Sequence, residues 1–174
     1  MTNFPVQGGC HCGSVRYALK APAISVQHCH CSRCRKVYGH QFGTGAVIRR
    51  CDMQIDGATA LTDYYSSKTF FSQFCRVCGC HLFGYETSDP VLMYFAPGTL
   101  DGGVHPGHPA DKECHIYVGS KAEWERIADG LPQYETASPD EIISGLQREA
   151  GDVPQSHKSK RGGIAATPLR SKSA

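Results

Sequence analysis

Closely spaced cysteines constrain the fold of this chain more than any other feature of its sequence. The chain has 174 residues and 10 cysteines, and most of the cysteines fall into three groups: Cys10-x-Cys12, Cys29-x-Cys31-x-x-Cys34 and Cys75-x-x-Cys78, with Cys80 two positions later. Such spacings let two thiolates reach one ion from a tight turn, and four thiolates form a tetrahedral structural zinc site. Neighbouring cysteines also close too small a ring for a relaxed disulfide. The pattern therefore predicts bound zinc rather than a disulfide framework.

The spacing alone leaves the pairing of these groups open. Cys10 and Cys12 could join Cys75 and Cys78, and that site would offset the entropy of closing a long loop. They could equally join the middle group. In the first arrangement Cys29, Cys31 and Cys34 keep a vacant fourth position, for which the candidate ligands are His28, His30, His40, Cys80, water or an incoming molecule.

A zinc ion held by three thiolates suits one kind of chemistry in particular. Its charge deprotonates a coordinated thiol, so a substrate sulfur would be held as a nucleophile at neutral pH. The open site at Cys29, Cys31 and Cys34 therefore predicts an enzyme acting on a thiol. The alternatives are a closed structural site, in a zinc-stabilised binding module without catalysis, and nucleic-acid binding through the basic C-terminal end.

Short β-branched runs separated by Gly, Pro and Asp predict a mainly β, antiparallel domain. Two capping signals predict short C-terminal helices, one from Ser120 to about Ala128 and one over residues 136–150. Residues 151–174 carry five basic residues and one acid, and their composition predicts a disordered basic tail. We therefore expect a zinc-binding domain over 1–135, followed by a helix and a tail.

Charge and hydropathy exclude several classes of protein. The formal net charge of the whole chain is +2 and the tail accounts for +4, so the remainder is not basic enough to predict nucleic-acid binding. No apolar run is long enough to span a membrane, and the N-terminus lacks the features of a secretory signal. We expect a cytoplasmic protein whose thiols stay reduced.

Three motifs together resemble those of a known family. "GGCHCGSVRY", "CHCSRCRK" and "FCRVCGCHLFG", in this order, and the ending "HIYVGSKAEWERIADGLPQYE" are similar to the glutathione-dependent formaldehyde-activating enzyme (GFA) family, which also includes centromere protein V. The resemblance covers residues 8 to about 135 and implies a fold of small tent-like sheets with two zinc ions per chain. It implies a structural site at Cys10, Cys12, Cys75 and Cys78.

The resemblance also implies the reaction and its partners. It makes Cys29, Cys31 and Cys34 the catalytic site, to which a substrate thiol binds. The implied activity is that of a carbon–sulfur lyase of the S-hydroxymethylglutathione synthase type. In this reaction a thiol such as glutathione adds to formaldehyde or a similar small aldehyde, or the reverse reaction releases the aldehyde.

Expectations for other side chains are less specific. His28 and His40 are expected to line the pocket, and Cys80 to lie near a site without binding its ion. Arg33, Arg35 and Lys36 either contact an anionic substrate or form an ordinary solvated loop. Cys51 and Cys114 are expected to be buried, Trp124 to anchor its helix in the core, and His105 and His108 to lie in a surface loop.

Overall fold

A computed structural model of the chain describes residues 2–138. These residues form a mainly β fold with eleven strands and one α-helix, which confirms the prediction of a mainly β domain. The strands are β1 (Val6–Gly9), β2 (Arg16–Leu19), β3 (Ser25–Cys29), β4 (Gly43–Arg49), β5 (Met53–Asp56), β6 (Leu61–Tyr65), β7 (Phe70–Cys75), β8 (His81–Glu86), β9 (Leu92–Phe95), β10 (Glu113–Ile116) and β11 (Gln133–Tyr134), and the helix is α1 (Ser32–Tyr38).

The strands form two sheets. The smaller sheet has the order β1-β2-β5 and the larger one has the order β11-β10-β3-β4-β9-β8-β7-β6. Most neighbours are antiparallel, as the short turns predict, but β10 runs parallel to both β3 and β11. Parallel neighbours need long connections rather than tight turns. The long segment between β3 and β10 is such a connection, and it brings two distant histidine-containing stretches side by side.

The core lies between the two sheets and is centred on Tyr17. Burial alternates along β2, so that Tyr17 and Leu19 are buried while their neighbours are partly exposed. The Tyr17 ring meets Phe83 of the larger sheet edge-on, with 5.5 Å between ring centroids. This approach requires a glycine at position 8, because a Cβ there would lie 2.4 Å from Tyr17 Cζ. The alternating burial along β2 therefore turns Tyr17 toward the larger sheet.

The helix predicted from Ser120 to Ala128 is not formed. The chain makes a short 3₁₀ turn at Val118–Ser120 and then continues without regular structure to β11. A nine-residue helix is marginal without packing support, and tertiary bonds hold the chain that follows this segment instead. The His115 amide donates to the Pro132 carbonyl at 2.8 Å, and the Tyr117 amide donates to that of Thr136 at 2.9 Å.

Several side chains in or near this region differ from expectation as well. Trp124 is 70% exposed and does not anchor the core, since the helix that would have carried it is absent. Cys114 is buried as expected, but Cys51 is exposed in a 3₁₀ turn. His108 is buried rather than on a surface loop, because its ring reaches Glu113. Apart from residues 136–138, the predicted helix and tail lie outside the described residues.

Candidate metal centre

Four thiols from the first and third cysteine groups converge at one point. Each sulfur lies within 4.8 Å of the others in a four-thiol cluster formed by Cys10, Cys12, Cys75 and Cys78. The Cys10 and Cys12 sulfurs are 3.5 Å apart, and those of Cys12 and Cys75 are 3.8 Å apart. A tetrahedral zinc ion with Zn–S bonds of about 2.3 Å places its sulfurs about 3.8 Å apart. The cluster therefore fits such an ion.

Two tight turns aim these sulfurs at one another. The first follows β1, where the Gly13 amide donates to the Cys10 carbonyl at 3.1 Å and the Val15 amide donates to the Cys10 sulfur at 3.2 Å. The second follows β7, where the Gly79 amide donates to the Cys75 carbonyl at 2.8 Å. Both glycines have positive φ, which a side chain would disfavour. Both turns are of the tight kind that the cysteine spacings predicted.

The trio (Cys29, Cys31 and Cys34) lies where β3 ends and α1 begins. Its sulfurs also lie within 4.8 Å of one another. Cys29 is the last residue of β3, and Cys31 is the N-cap of α1, where its sulfur accepts a hydrogen bond from the Cys34 amide at 3.4 Å. The capping geometry places Cys34 one turn into the helix, on the side of Cys31. A strand end and a helix start thus bring the three thiols together.

The electrostatics of the trio suit a cation. A hydrogen bond from the Cys34 thiol lowers the pKa of Cys29, and the same interaction raises that of Cys34. Arg33 adds a smaller contribution that lowers the pKa of Cys29 further. An ionised sulfur is the form that binds metal. The donor set of the trio therefore fits zinc with three protein ligands.

Two of the candidate fourth ligands, His28 and Cys80, have contacts outside the trio. Both ring nitrogens of His28 have partners, Thr44 Oγ1 at 3.0 Å and Glu113 Oε1 at 2.9 Å. The Cys80 sulfur contacts the His81 carbonyl at 3.7 Å and belongs to neither cluster. Over residues 2–138, no fourth histidine, cysteine or carboxylate joins the trio within the same 4.8 Å. The alternative of a closed site therefore finds no ligand in this part of the chain.

A chain of buried histidines beside the trio was not predicted from the sequence. His30 Nε2 lies 2.8 Å from His115 Nδ1, and His115 Nε2 lies 2.8 Å from Asp129 Oδ2. Because a carboxylate only accepts, Asp129 holds the proton on His115 Nε2, and neutral rings then make His30 the donor to His115. Burial lowers the pKa of His30 to about 4, which keeps it neutral. The chain fixes the residue between Cys29 and Cys31.

Tyr38, at the end of α1, forms one wall next to the trio. Gly43 pairs with Cys29 across β3 and β4, and a Cβ at Gly43 would lie 2.6 Å from two atoms of the Tyr38 ring. The ring therefore occupies the space beside Cys29 that a side chain at position 43 would fill. Its other neighbour is His81, with 4.4 Å between the ring centroids. No sequence signal singled out Tyr38, Gly43 or His81.

Comparison with known proteins decides the family. Residues 5–120 match the family model described as glutathione-dependent formaldehyde-activating enzyme, GFA. The chain belongs to the GFA family. The resemblance predicted from the three cysteine motifs is thereby confirmed.

Two individual relatives can be named alongside the GFA family model. A Halomonas elongata protein described as a "Putative glutathione-dependent formaldehyde-activating enzyme" is 26% identical over 132 residues, which cover 70% of this chain and 80% of that protein. A crystal structure of a Rhodobacter sphaeroides protein shares 29% identity, covering 57% of this chain and 91% of its own, with a TM-score of 0.47. Within residues 2–138, no helix of this GFA-family chain is long and apolar enough to cross a membrane.

Proposed function

We propose that this protein is a zinc-dependent carbon–sulfur lyase. It would add a thiol such as glutathione to formaldehyde or a similar small aldehyde, or catalyse the reverse. The observation that carries the proposal is the trio, three converging thiols without a fourth protein ligand in the described chain. Membership of the GFA family supports the choice of substrates. All ten cysteines are free thiols, and we expect the protein to act in the cytoplasm, where thiols stay reduced.

The two clusters would have different roles. Cys10, Cys12, Cys75 and Cys78 would hold one zinc ion as a closed structural site, and the trio would hold a second ion with one position left for substrate. When bound there, zinc supplies a charge that keeps a coordinated thiol deprotonated at neutral pH. In the first site, four thiolates would fill the coordination of the ion. In the second site, three thiolates would leave one coordination position free.

The reaction needs no oxidant or reductant. The thiol sulfur forms a bond to the carbonyl carbon, the C=O π electrons move to oxygen, and that oxygen takes up a proton as the thiol loses one. The protein has to orient the thiol and to offer a hydrogen-bond donor to the oxygen. Burial, and to a smaller extent the charges of Cys34 and Cys29, raise the pKa of Tyr38, so its phenol stays protonated and can serve as such a donor.

The test compares Cys31→Ser with Cys51→Ser, a matched change at an exposed cysteine outside both clusters. Elemental analysis counts zinc per chain, and exchange NMR measures the interconversion of glutathione and S-hydroxymethylglutathione above the uncatalysed rate. We expect Cys51→Ser to keep two zinc ions and full exchange. Cys31→Ser should keep about one zinc ion and lose the catalysed exchange while remaining folded.

Two results would contradict this proposal in different ways. Two zinc ions and full exchange in Cys31→Ser would show that the roles of the clusters are assigned wrongly. A wild-type protein loaded with two zinc ions that exchanges no faster than the uncatalysed reaction would remove the enzymatic function. That second result would favour the alternative, a zinc-stabilised binding module.

A further inference from the structure

A cavity of about 330 Å³ opens between α1 and the outer strands of the larger sheet. This volume is at the lower end of the range for small-molecule sites. Its principal lining residues come from the helix and from three consecutive strands: Lys36, Val37, Tyr64, Ser72, Phe74 and His81. None of the lining residues is acidic. The cavity is thus partly apolar and carries one cationic side chain.

His81 lines this cavity, and its ring nitrogens have no hydrogen-bond partner in the described part of the chain. Both of its ring nitrogens are buried, and neither has a hydrogen-bond partner among residues 2–138. Burial lowers the pKa of His81 to about 4, so the neutral ring presents one donor and one acceptor. Buried polar groups in native proteins are normally paired. The unpaired imidazole therefore points to a ligand that can both accept and donate hydrogen bonds.

The charged residues around the cavity favour a ligand with negative charge. Helix α1 contains Arg33, Arg35 and Lys36 and no acid. No carboxylate in the described part of the chain lies within 4.0 Å of the Lys36 ammonium, although five other ion pairs are formed there. An unpaired ammonium at the edge of an acid-free cavity favours an anion such as a carboxylate.

The cavity is next to the trio. Lys36 and Val37 lie two and three positions after Cys34 on α1, and the Tyr38 ring contacts His81 on one side and the strand pair formed by Cys29 and Gly43 on the other. The Tyr38 side chain thus links the imidazole of His81 to the strand pair that carries Cys29. A small molecule with its sulfur at the trio can extend around Tyr38 into this space.

We propose that this cavity binds the carboxylate-bearing, peptide-like part of the thiol substrate, with Lys36 and His81 as the residues that determine specificity. Lys36 pairs with the carboxylate, while His81 hydrogen-bonds an amide or carboxyl group of the same molecule. This inference rests on the proposed function, because it takes the trio as the site of the thiol. It predicts that anionic, peptide-like thiols are preferred over simple cationic ones such as cysteamine.

The first experiment measures binding without chemistry. S-methylglutathione has the carboxylates and peptide bonds of glutathione but no thiol, so calorimetric titration of the zinc-loaded protein reports on the cavity. We expect Lys36→Met to weaken binding by about tenfold or more, because a charge-assisted bond is lost. His81→Phe keeps the ring against Tyr38 and should weaken binding by at least about threefold. Lys20→Met, at an exposed lysine outside the cavity, should bind as the wild type does.

The second experiment measures selectivity. The ratio of kcat/KM for glutathione to that for cysteamine, with formaldehyde as the aldehyde, should fall at least fivefold in Lys36→Met and stay unchanged in Lys20→Met. Equal binding of S-methylglutathione by the wild type and Lys36→Met, or no binding by either, would overturn the inference. If the wild type turns over neither thiol, the proposed function fails, and the titration still decides whether the cavity binds the anionic peptide.

Discussion

Replacing Gly43 with alanine tests the packing that places Tyr38 beside the trio. The new Cβ would lie 2.6 Å from two carbon atoms of the Tyr38 ring, whereas carbon atoms pack best at about 3.5–4.0 Å. The overlap of about 1 Å has to be relieved by moving the ring or the strand, and overpacking of this kind costs about 1–3 kcal/mol. We therefore expect Gly43→Ala to lower the free energy of unfolding by that amount.

Gly45→Ala is the matched control, because it lies two residues further along the same strand. Its Cβ would meet the Tyr94 ring at 3.4 Å, an ordinary contact, and neither glycine has a positive φ. A tolerated Gly→Ala change stabilises a protein by about 0.4–1 kcal/mol through the unfolded chain. We therefore expect Gly45→Ala to leave the free energy of unfolding unchanged or to raise it slightly, whereas Gly43→Ala should lower it.

Urea unfolding followed by circular dichroism measures both effects. All samples need the same free zinc concentration, since an ion that binds the folded state adds stability by mass action. A double-mutant cycle with Tyr38→Ala isolates the contact, and the cost of Gly43→Ala should largely disappear in that background. If Gly43→Ala costs no more than Gly45→Ala, or costs the same with and without the Tyr38 ring, the placement of Tyr38 described above is wrong.

Two further substitutions test the core and the histidine chain. Tyr17→Phe removes a hydrogen bond of 2.7 Å to the Thr99 hydroxyl and should cost about 0.5–1.5 kcal/mol in urea unfolding, because Thr99 still donates to a backbone carbonyl. The hydrogen bond from His115 lowers the pKa of Asp129, so its stabilisation is present above the unfolded pKa of about 4 and is lost as the pH falls below it. Since Asp129 is half exposed, Asp129→Asn should cost less than about 1 kcal/mol at pH 7, and this cost should shrink as the pH falls below about 4; a deficit that grows on acidification would contradict this.

The sequence was informative where chemistry depends on spacing. Cys10 and Cys12, or Cys75 and Cys78, are close in the chain, so their approach to a common point needs only a tight turn and a permissive glycine. Which pairs meet is a question of topology, and spacing left it open. The structure brings these two pairs together and leaves the trio separate, while the binding of zinc itself stays a prediction.

The predicted helix after Ser120 shows where local signals fail. A serine followed three residues later by glutamate is a capping pattern, but capping contributes only about 1 kcal/mol. Here the bonds from His115 to Asp129 and to the Pro132 carbonyl hold the residues that directly follow the segment against β10. Tertiary contacts of this kind join residues that are distant in the sequence, so a local sequence pattern carries no information about them.

The contacts around the trio were beyond sequence reasoning for a related physical reason. His28 reaches Glu113, and His30 reaches His115, each across 85 positions of the chain. Both contacts follow from the parallel pairing of β3 with β10, which no hydrophobic pattern predicted. His30 was one of the candidate ligands named from the sequence, and its pairing with His115 becomes visible only in the sheet.

The two clusters differ in the size of the chain loop that a bound ion would close, and this difference bears on the role proposed for each. Cys12 and Cys75 are 63 positions apart, so an ion there ties the β1 turn to the end of β7 and removes much entropy from the unfolded chain. The trio spans only residues 29–34 and closes no long loop. Its backbone is already fixed by β3, by the start of α1 and by the histidine chain. An ion at the trio would therefore add little to folding, and this supports the proposed catalytic role of the trio over a structural one.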